Sequence, residues 1–194
     1  MDITPAQIKA LRDETGISVM QCKAALEEAG GDMEQARVIL RKKGAAAAAK
    51  KMDRELGAGT VGSYVHAGGD VASLVLLSCE TDFVAKNEEF AALARDIAMH
   101  VTALAPRFRS REDVDAGALD AARAVFMKEV EDKPEELREK IVAGKLDAYL
   151  KEQVLLEQSF IKDPERTIAD LVEAATQKFG ERVVVAAMSR LSVH

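Results

Sequence analysis

Thr60-Val61-Gly62-Ser63-Tyr64-Val65-His66, Ala67-Gly68-Gly69-Asp70 and Val71-Ala72-Ser73-Leu74-Val75-Leu76-Leu77-Ser78-Cys79 follow one another without a break, and their reading decides the fold. Two runs rich in β-branched and apolar residues flank four residues with the composition of a tight turn, so the stretch predicts an antiparallel hairpin. The second run leads into Thr81-Asp82-Phe83-Val84-Ala85-Lys86-Asn87, which sets an acid and a large aromatic side by side at the strand's exit. An amphipathic helix opens near Asn87, so Asp82 and Phe83 fall in the short strand-to-helix connection. Connections of this kind lie on the surface and often carry function. Two readings are open: Phe83 folds back onto the core while Asp82 caps a turn, or the pair projects as a wedge.

Upstream, three segments share one helix-starting device. Thr4 and Gln7, Ser18 and Gln21, and Asp32 and Gln35 each place a side-chain acceptor at a helix start, with a residue three positions on that can reach back. Pro5 suits a first helical position, Ile3 can staple onto Ile8, and Gly16, Gly30-Gly31 and Gly44 are read as stops. Ile8, Leu11, Cys22, Ala25, Leu26, Ala36, Ile39 and Leu40 recur at helical spacing, so three short helices over residues 1–44 can share a small core. This pattern resembles a ubiquitin-associated-type bundle. Helix-turn-helix DNA binding is the rival, disfavoured because the segment has no strongly basic face. The alanine run that follows has high helix propensity and little area to pack, so residues 45–56 are read as a helical tether.

Downstream, Phe90, Leu93, Ile97 and Val101 form the buried stripe of a helix that ends before Pro106. Leu119, Ala122, Phe126 and Val130, then Leu137, Ile141, Tyr149 and Leu150 after Pro134, predict an antiparallel helix pair over 116–156. Pro164 with the capping set Thr167 to Asp170 predicts a further helix that stops at Gly180, and Arg182-Val183-Val184-Val185 begins a last strand. The class is α+β, with residues 57–194 as the main unit.

Composition narrows the function. Hydrophobic residues make up 48 % of 194, enough for an ordinary core. Ten Lys/Arg stand against nine Asp/Glu in residues 1–55 and 17 against 24 in the remainder, within a net charge of −6. Neither part is basic and aromatics are only 4 %, which argues against direct nucleic-acid binding, where phosphate neutralisation dominates affinity. Met1 to Pro5 lack the basic flank and apolar run of a secretory signal, and the apolar stretches are far short of the roughly 20 residues that span a bilayer. A cytoplasmic protein without membrane association is expected. Cys22 and Cys79 fit buried thiols rather than a disulfide framework.

Catalytic chemistry has few candidates: His66, His100, His194, Cys22 and Cys79. A Cys79–His66 pair on adjacent strands competes with the ordinary state of a small buried thiol. His100 has no second metal ligand at a useful spacing. Neither GxxxxGK[ST] nor GxGxxG occurs. No enzymatic activity, metal or cofactor is expected.

The stretch Thr81 to Asn87 resembles the signature of the elongation factor Ts family, nucleotide exchange factors for the translational GTPase elongation factor Tu. Leu11-Arg12-Asp13-Glu14-Thr15-Gly16 with Val19-Met20-Gln21-Cys22-Lys23-Ala24-Ala25-Leu26 is similar to the family's opening motif. Ser63-Tyr64-Val65-His66, Lys133-Pro134, Gly144-Lys145-Leu146 and Glu157-Gln158-Ser159-Phe160-Ile161-Lys162-Asp163 match in the family's order. The resemblance implies a ubiquitin-associated-like amino-terminal domain and a three-stranded antiparallel sheet covered by helices. It implies a non-enzymatic exchange factor that acts in translation elongation, with elongation factor Tu as partner and a homodimer as the form of some compact members. Asp82 and Phe83, flanked by Thr81 and Val84, would insert between helices of the GTPase near its magnesium and phosphate sites. His66 would support them from the neighbouring strand, Phe179 and Gly180 would form a second contact tip, and Arg12, Val19 and Met20 would touch the GTPase from the amino-terminal domain. Val19 stands where the family usually has methionine. Ala186-Ala187-Met188-Ser189-Arg190-Leu191 replaces the family's arginine-and-aromatic strand ending, so a dimer contact through this strand does not carry over directly. The competing class is an adaptor whose helical bundle grips a peptide or a ubiquitin-like surface.

Overall fold

The computed structural model describes residues 3–193; His194, named above as a candidate, lies outside them. In chain order the elements are α1 (Pro5–Thr15), α2 (Val19–Glu28), α3 (Met33–Ala49), β1 (Ala58–Val65), β2 (Val71–Cys79), α4 (Asp82–Ala85) and α5 (Glu88–Leu104). They continue with α6 (Ala116–Glu129), α7 (Glu135–Gln153), β3 (Ser159–Phe160), β4 (Asp163–Thr167), α8 (Ile168–Phe179) and β5 (Val184–Ser192). The α+β class read from the sequence is what forms.

Helices α1 to α3 start where expected. Thr4, Ser18 and Asp32 side chains accept the amides of Gln7, Gln21 and Gln35, each satisfying a donor that has no partner within its helix. Of the three, Thr4 and Gln7 complete the reciprocal pair. Gly16 closes α1 at φ +68, a conformation that costs glycine little. Leu11, Ile17, Cys22, Ala25, Leu26, Ala36 and Leu40 form the shared core, with Ile3, Ile8 and Ile39 against it.

The stop expected at Gly44 is not there. Helix α3 runs unbroken to Ala49, so the alanine run continues the third helix instead of forming a separate tether, and a boundary at residue 44 falls inside it. The glycine serves a close crossing. A Cβ at Gly44 would come within 3.0 Å of Gln177 Oε1 and 3.7 Å of the Glu173 carbonyl oxygen, both on α8. Pro164, expected to open α8, lies in β4, paired antiparallel with β3; the helix starts at Ile168 behind the Thr167–Asp170 capping box.

The main sheet is antiparallel in the order β1-β2-β5. Ala58 faces Cys79 at one end of the hairpin and Val65 faces Ala72 at the other, with the intervening turn at residues 66–70. Val75, Leu77, Cys79 and Val185 point inward onto Phe90, Ala94, Ile97 and Val101 of α5 and Ile168, Leu171 and Ala175 of α8. Gly62 lets α5 approach: an added Cβ would lie 2.2 Å from the Ala94 carbonyl. A bulge between Leu76 and Leu77 bends the β2–β5 pairing, and Arg109 Nη1 donates to the Ala186 carbonyl beside it at 2.9 Å. The outer face carries Val61, Val65, Leu74 and Leu191, each more than half exposed.

The predicted α6–α7 pair forms, held by an edge-on contact of Phe126 with Tyr149 at 6.1 Å and by Arg123–Glu139 and Lys145–Glu129 ion pairs. Val130 and Val142 are its buried residues together with Leu150. His100 is fully buried on α5. Its Nδ1 accepts from the Ile161 amide at 3.3 Å and its Nε2 lies 2.9 Å from Gln158 Oε1, an arrangement for the neutral ring with the proton on Nε2. Burial holds its pKa below the usual histidine value, opposed by the Gln158 contact.

Candidate functional site

Strand β2 leaves its ladder at Cys79, and the chain turns through Glu80 and Thr81 into the single turn α4. Amides of Ala85, Lys86 and Asn87 donate to the carbonyls of Thr81, Asp82 and Val84 at 3.0–3.1 Å. Asn87 then accepts the amides of Glu89 and Phe90 and starts α5. A one-turn helix against a core must send two residues inward and two outward. Val84 and Ala85 go inward, and Asp82 and Phe83 go outward. Phe83 is 86 % exposed, so the reading in which it folds back onto the core is not what forms. An aromatic ring held in water forgoes the 1.5–3 kcal/mol or so that burial would supply. Asp82 makes a solvent-exposed ion pair with Lys86 at 3.4 Å, an interaction of little energetic weight.

What braces the corner comes from far along the chain. The Glu181 carboxylate accepts the amides of Glu80 and Thr81 at 3.1 and 3.0 Å and the Thr81 hydroxyl at 2.6 Å. In return Glu80 accepts the Arg182 amide at 2.6 Å and pairs with Arg54, whose carbonyl takes a bond from Arg182 Nη1 at 2.6 Å. These bonds, the Arg182 amide first and Arg54 after it, hold the Glu80 carboxyl below its usual range. Thr81 is therefore engaged within the fold and makes no side-chain cap to α4. The sequence gives no local sign of this brace: Glu181 and Thr81 stand a hundred residues apart, and an acid after a helix-ending glycine is unremarkable. The reciprocal carboxylate-to-amide arrangement is legible only once β2 and the α8–β5 turn are adjacent.

The other expected contact residues divide by position. Phe179 packs edge-on against Phe90 at 5.7 Å, and Gly180 ends α8 at φ +71, directly before Glu181. The α1–α2 corner reaches the same end of the molecule: Gln177 Nε2 donates to Gln21 Oε1 at 3.0 Å, and Lys178, which pairs with Glu89, passes beside Gly16. Val19 and Met20 open α2 there, Met20 73 % exposed, and Arg12 is exposed on the last turn of α1. Arg12, Val19, Met20, Phe179, Gly180, Thr81, Asp82 and Phe83 thus gather at one end, with Val84 beneath them in the core. His66 does not join them. It follows β1 at the turn end of the hairpin, opposite the Cys79 end. The nine residues of β2 put roughly 26 Å between it and the corner, so direct support of Phe83 by His66 from the adjacent strand is ruled out within one chain.

Thiol chemistry has no footing at the corner. Cys79 is buried and donates its Sγ–H to the Thr81 carbonyl at 3.3 Å. Burial, then the nearby charges of Glu181, Asp82 and Glu80, push the thiol up, away from the reactive thiolate. The geometry offers instead a fixed aromatic protrusion with acids around its base. No helix among the described residues is long and apolar enough to cross a membrane.

Residues 45–193 match the family model described as Elongation factor TS. The chain is 45 % identical over 193 residues to an elongation factor Ts of Thermosipho melanesiensis, covering 98 % of each. It is 46 % identical to that of Desulforamulus reducens, over 95 % of this chain and 86 % of the relative. The elongation factor Ts of Geobacter sulfurreducens is 44 % identical over 98 % of this chain and 89 % of its own length.

Proposed function

The chain belongs to the elongation factor Ts family of translation elongation factors, and from that premise we propose that it is a non-enzymatic guanine-nucleotide exchange factor for elongation factor Tu. The observation that carries the reading is Phe83, an aromatic ring left in water at the tip of a braced turn, inside the stretch that resembles the family's signature. Exchange needs no bond-making group. The GTPase holds GDP partly through a magnesium ion that demands near-octahedral oxygen coordination. A partner that binds the opened, ion-free conformation more tightly must weaken nucleotide by the same factor. In this reading Phe83 supplies volume that holds GTPase helices apart, and Asp82 engages polar groups at the rim of the phosphate site. One Phe side chain contributes about 1.5–3 kcal/mol, and each 1.4 kcal/mol is tenfold. Acceleration by several decades therefore needs further contact from the surfaces at the same end, around Met20, Val19, Arg12 and the Phe179–Gly180 turn. The test is stopped-flow release of fluorescent GDP from elongation factor Tu. Addition of this protein accelerates release; no acceleration at micromolar concentration refutes the reading.

A second proposal concerns assembly. Val61, Val65, Leu74 and Leu191 make an apolar outer sheet face that is left exposed among the described residues, and we propose that a second copy covers it. Leu74→Lys is expected to convert a dimer to a monomer in sedimentation equilibrium. A wild-type protein that sediments as a monomer at tens of micromolar refutes it.

A further inference from the structure

We propose that Glu181 is a positioning residue for nucleotide exchange: its carboxylate fixes the corner at Glu80–Thr81 and so the angle at which α4 presents Phe83. The inference rests on the exchange-factor reading and extends it to a residue outside the contact motif.

Three features of the corner lead to it. The β2–β5 register ends at Ser78 with Val184, so the amides of Glu80 and Thr81 lie past the end of that ladder. One Glu181 oxygen takes both of them and the other takes the Thr81 hydroxyl, a charged acceptor for three donors at 2.6–3.1 Å. Bonds to an ionised acceptor are stronger than neutral ones. Second, little else orients the ring. Phe83 projects into water and the Asp82 side chain pairs with Lys86 in solvent, which leaves the inward burial of Val84 and Ala85, the backbone bonds within α4 and the backbone before it to set the ring's direction. Third, Glu181 is itself held from both sides. Gly180 before it is locked as the α8 cap, and Arg182 after it donates its amide to Glu80. The clamp thereby ties the Phe179–Gly180 turn to the Phe83 turn, two places where the partner is expected. A protrusion held in its bound orientation loses less conformational freedom on docking.

Release of fluorescent GDP from elongation factor Tu is measured with wild type, Glu181→Ala, Phe83→Ala and the double variant. Glu181→Ala is expected to slow release at saturating factor about tenfold, the effect of breaking a charged hydrogen-bond set. Because Glu181 acts through the ring, the double variant is expected to fall within about threefold of Phe83→Ala alone. Glu181→Gln, which keeps one oxygen for the two amides, is expected to recover part of the loss and remains the probe if the alanine variant does not fold. Losses that multiply in the double variant, or a Glu181→Ala rate within twofold of wild type, overturn the proposal. Amide hydrogen exchange of the free protein separates this inference from the reading beneath it. Glu181→Ala is expected to speed exchange at residues 81–87 while β5 keeps its protection, and unchanged protection at 81–87 overturns the positioning role whatever the GTPase does. If protection changes but wild type releases no GDP, it is the exchange reading that fails.

Discussion

Replacing Phe83 by alanine removes a side chain that does nothing for its own fold. At 86 % exposure the ring has almost no internal contact to lose, so stability is expected to stay within about 0.5 kcal/mol of wild type, the range of ordinary surface changes. The whole cost falls on the complex. A ring that goes from water into a partner is worth about 1.5–3 kcal/mol, which corresponds to roughly tenfold to 150-fold in the exchange rate. Leucine at the same place keeps much of the apolar volume and is expected to lose less than alanine. The assay is release of fluorescent GDP from elongation factor Tu at a series of factor concentrations, with thermal unfolding by circular dichroism on the same preparations. A rate within threefold of wild type, from a variant that unfolds normally, refutes the claim that the ring is the working part. The adaptor alternative would then gain, since it places partner binding on the helical bundle.

Two further outcomes follow from the fold. Gly62→Ala drives a Cβ into the backbone of Ala94 and Arg95, at 2.2 and 2.5 Å, where no side chain can swing away. It is expected to destabilise by about 3 kcal/mol, the upper end for overpacking, read by urea denaturation. A loss under 1 kcal/mol would mean that α5 lifts off the sheet freely. His100 has a pKa depressed from 6.5 in the folded state, so the unfolded chain takes up the proton first as pH falls. Its contribution to stability is intact above 6.5 and is lost as pH drops from there toward the folded value, because burial disfavours the charged ring, and protonation at Nδ1 also forfeits the Ile161 amide bond. Denaturation at pH 7.5 and 5.5 should show wild type losing more stability than His100→Gln, and equal losses dismiss the assignment.

Local signals carried most of the architecture. A cap is a property of four consecutive residues, and Thr4–Gln7 and Thr167–Asp170 form the reciprocal pairs that their spacing announces. The hairpin around Gly68–Gly69 and the left-handed ends at Gly16 and Gly180 are equally local. Gly44 shows where this fails. A glycine after a helical run serves as a stop or as a place for another helix to come close, and only the position of α8 distinguishes the two. Pro164 is ambiguous in the same way, since an edge strand tolerates it as well as a helix start does. For the site, the sequence leaves both orientations of Phe83 open until the structure shows Val84 and Ala85 packed inward, and the bond between Glu181 and Thr81 depends on how β2 and β5 align and has no short-range trace. The role of His66 comes from the resemblance of its segment, and its place on the neighbouring strand does not say which end of that strand it occupies.

The crossing at Gly44 makes α3 a lever. Eleven residue steps lead from Met33 to that point, and at 1.5 Å of rise each they form an arm of roughly 16 Å. A tilt of about 10° at the fulcrum sweeps the far end through roughly 3 Å, by the same helical geometry. Met20 lies next to Gln21, which bonds Gln177 beside the fulcrum, so the sweep falls on the Met33 end of the bundle. The missing side chain at residue 44 therefore sets the reach of a surface elsewhere on the bundle, and a bulkier residue there would move that surface bodily without touching it.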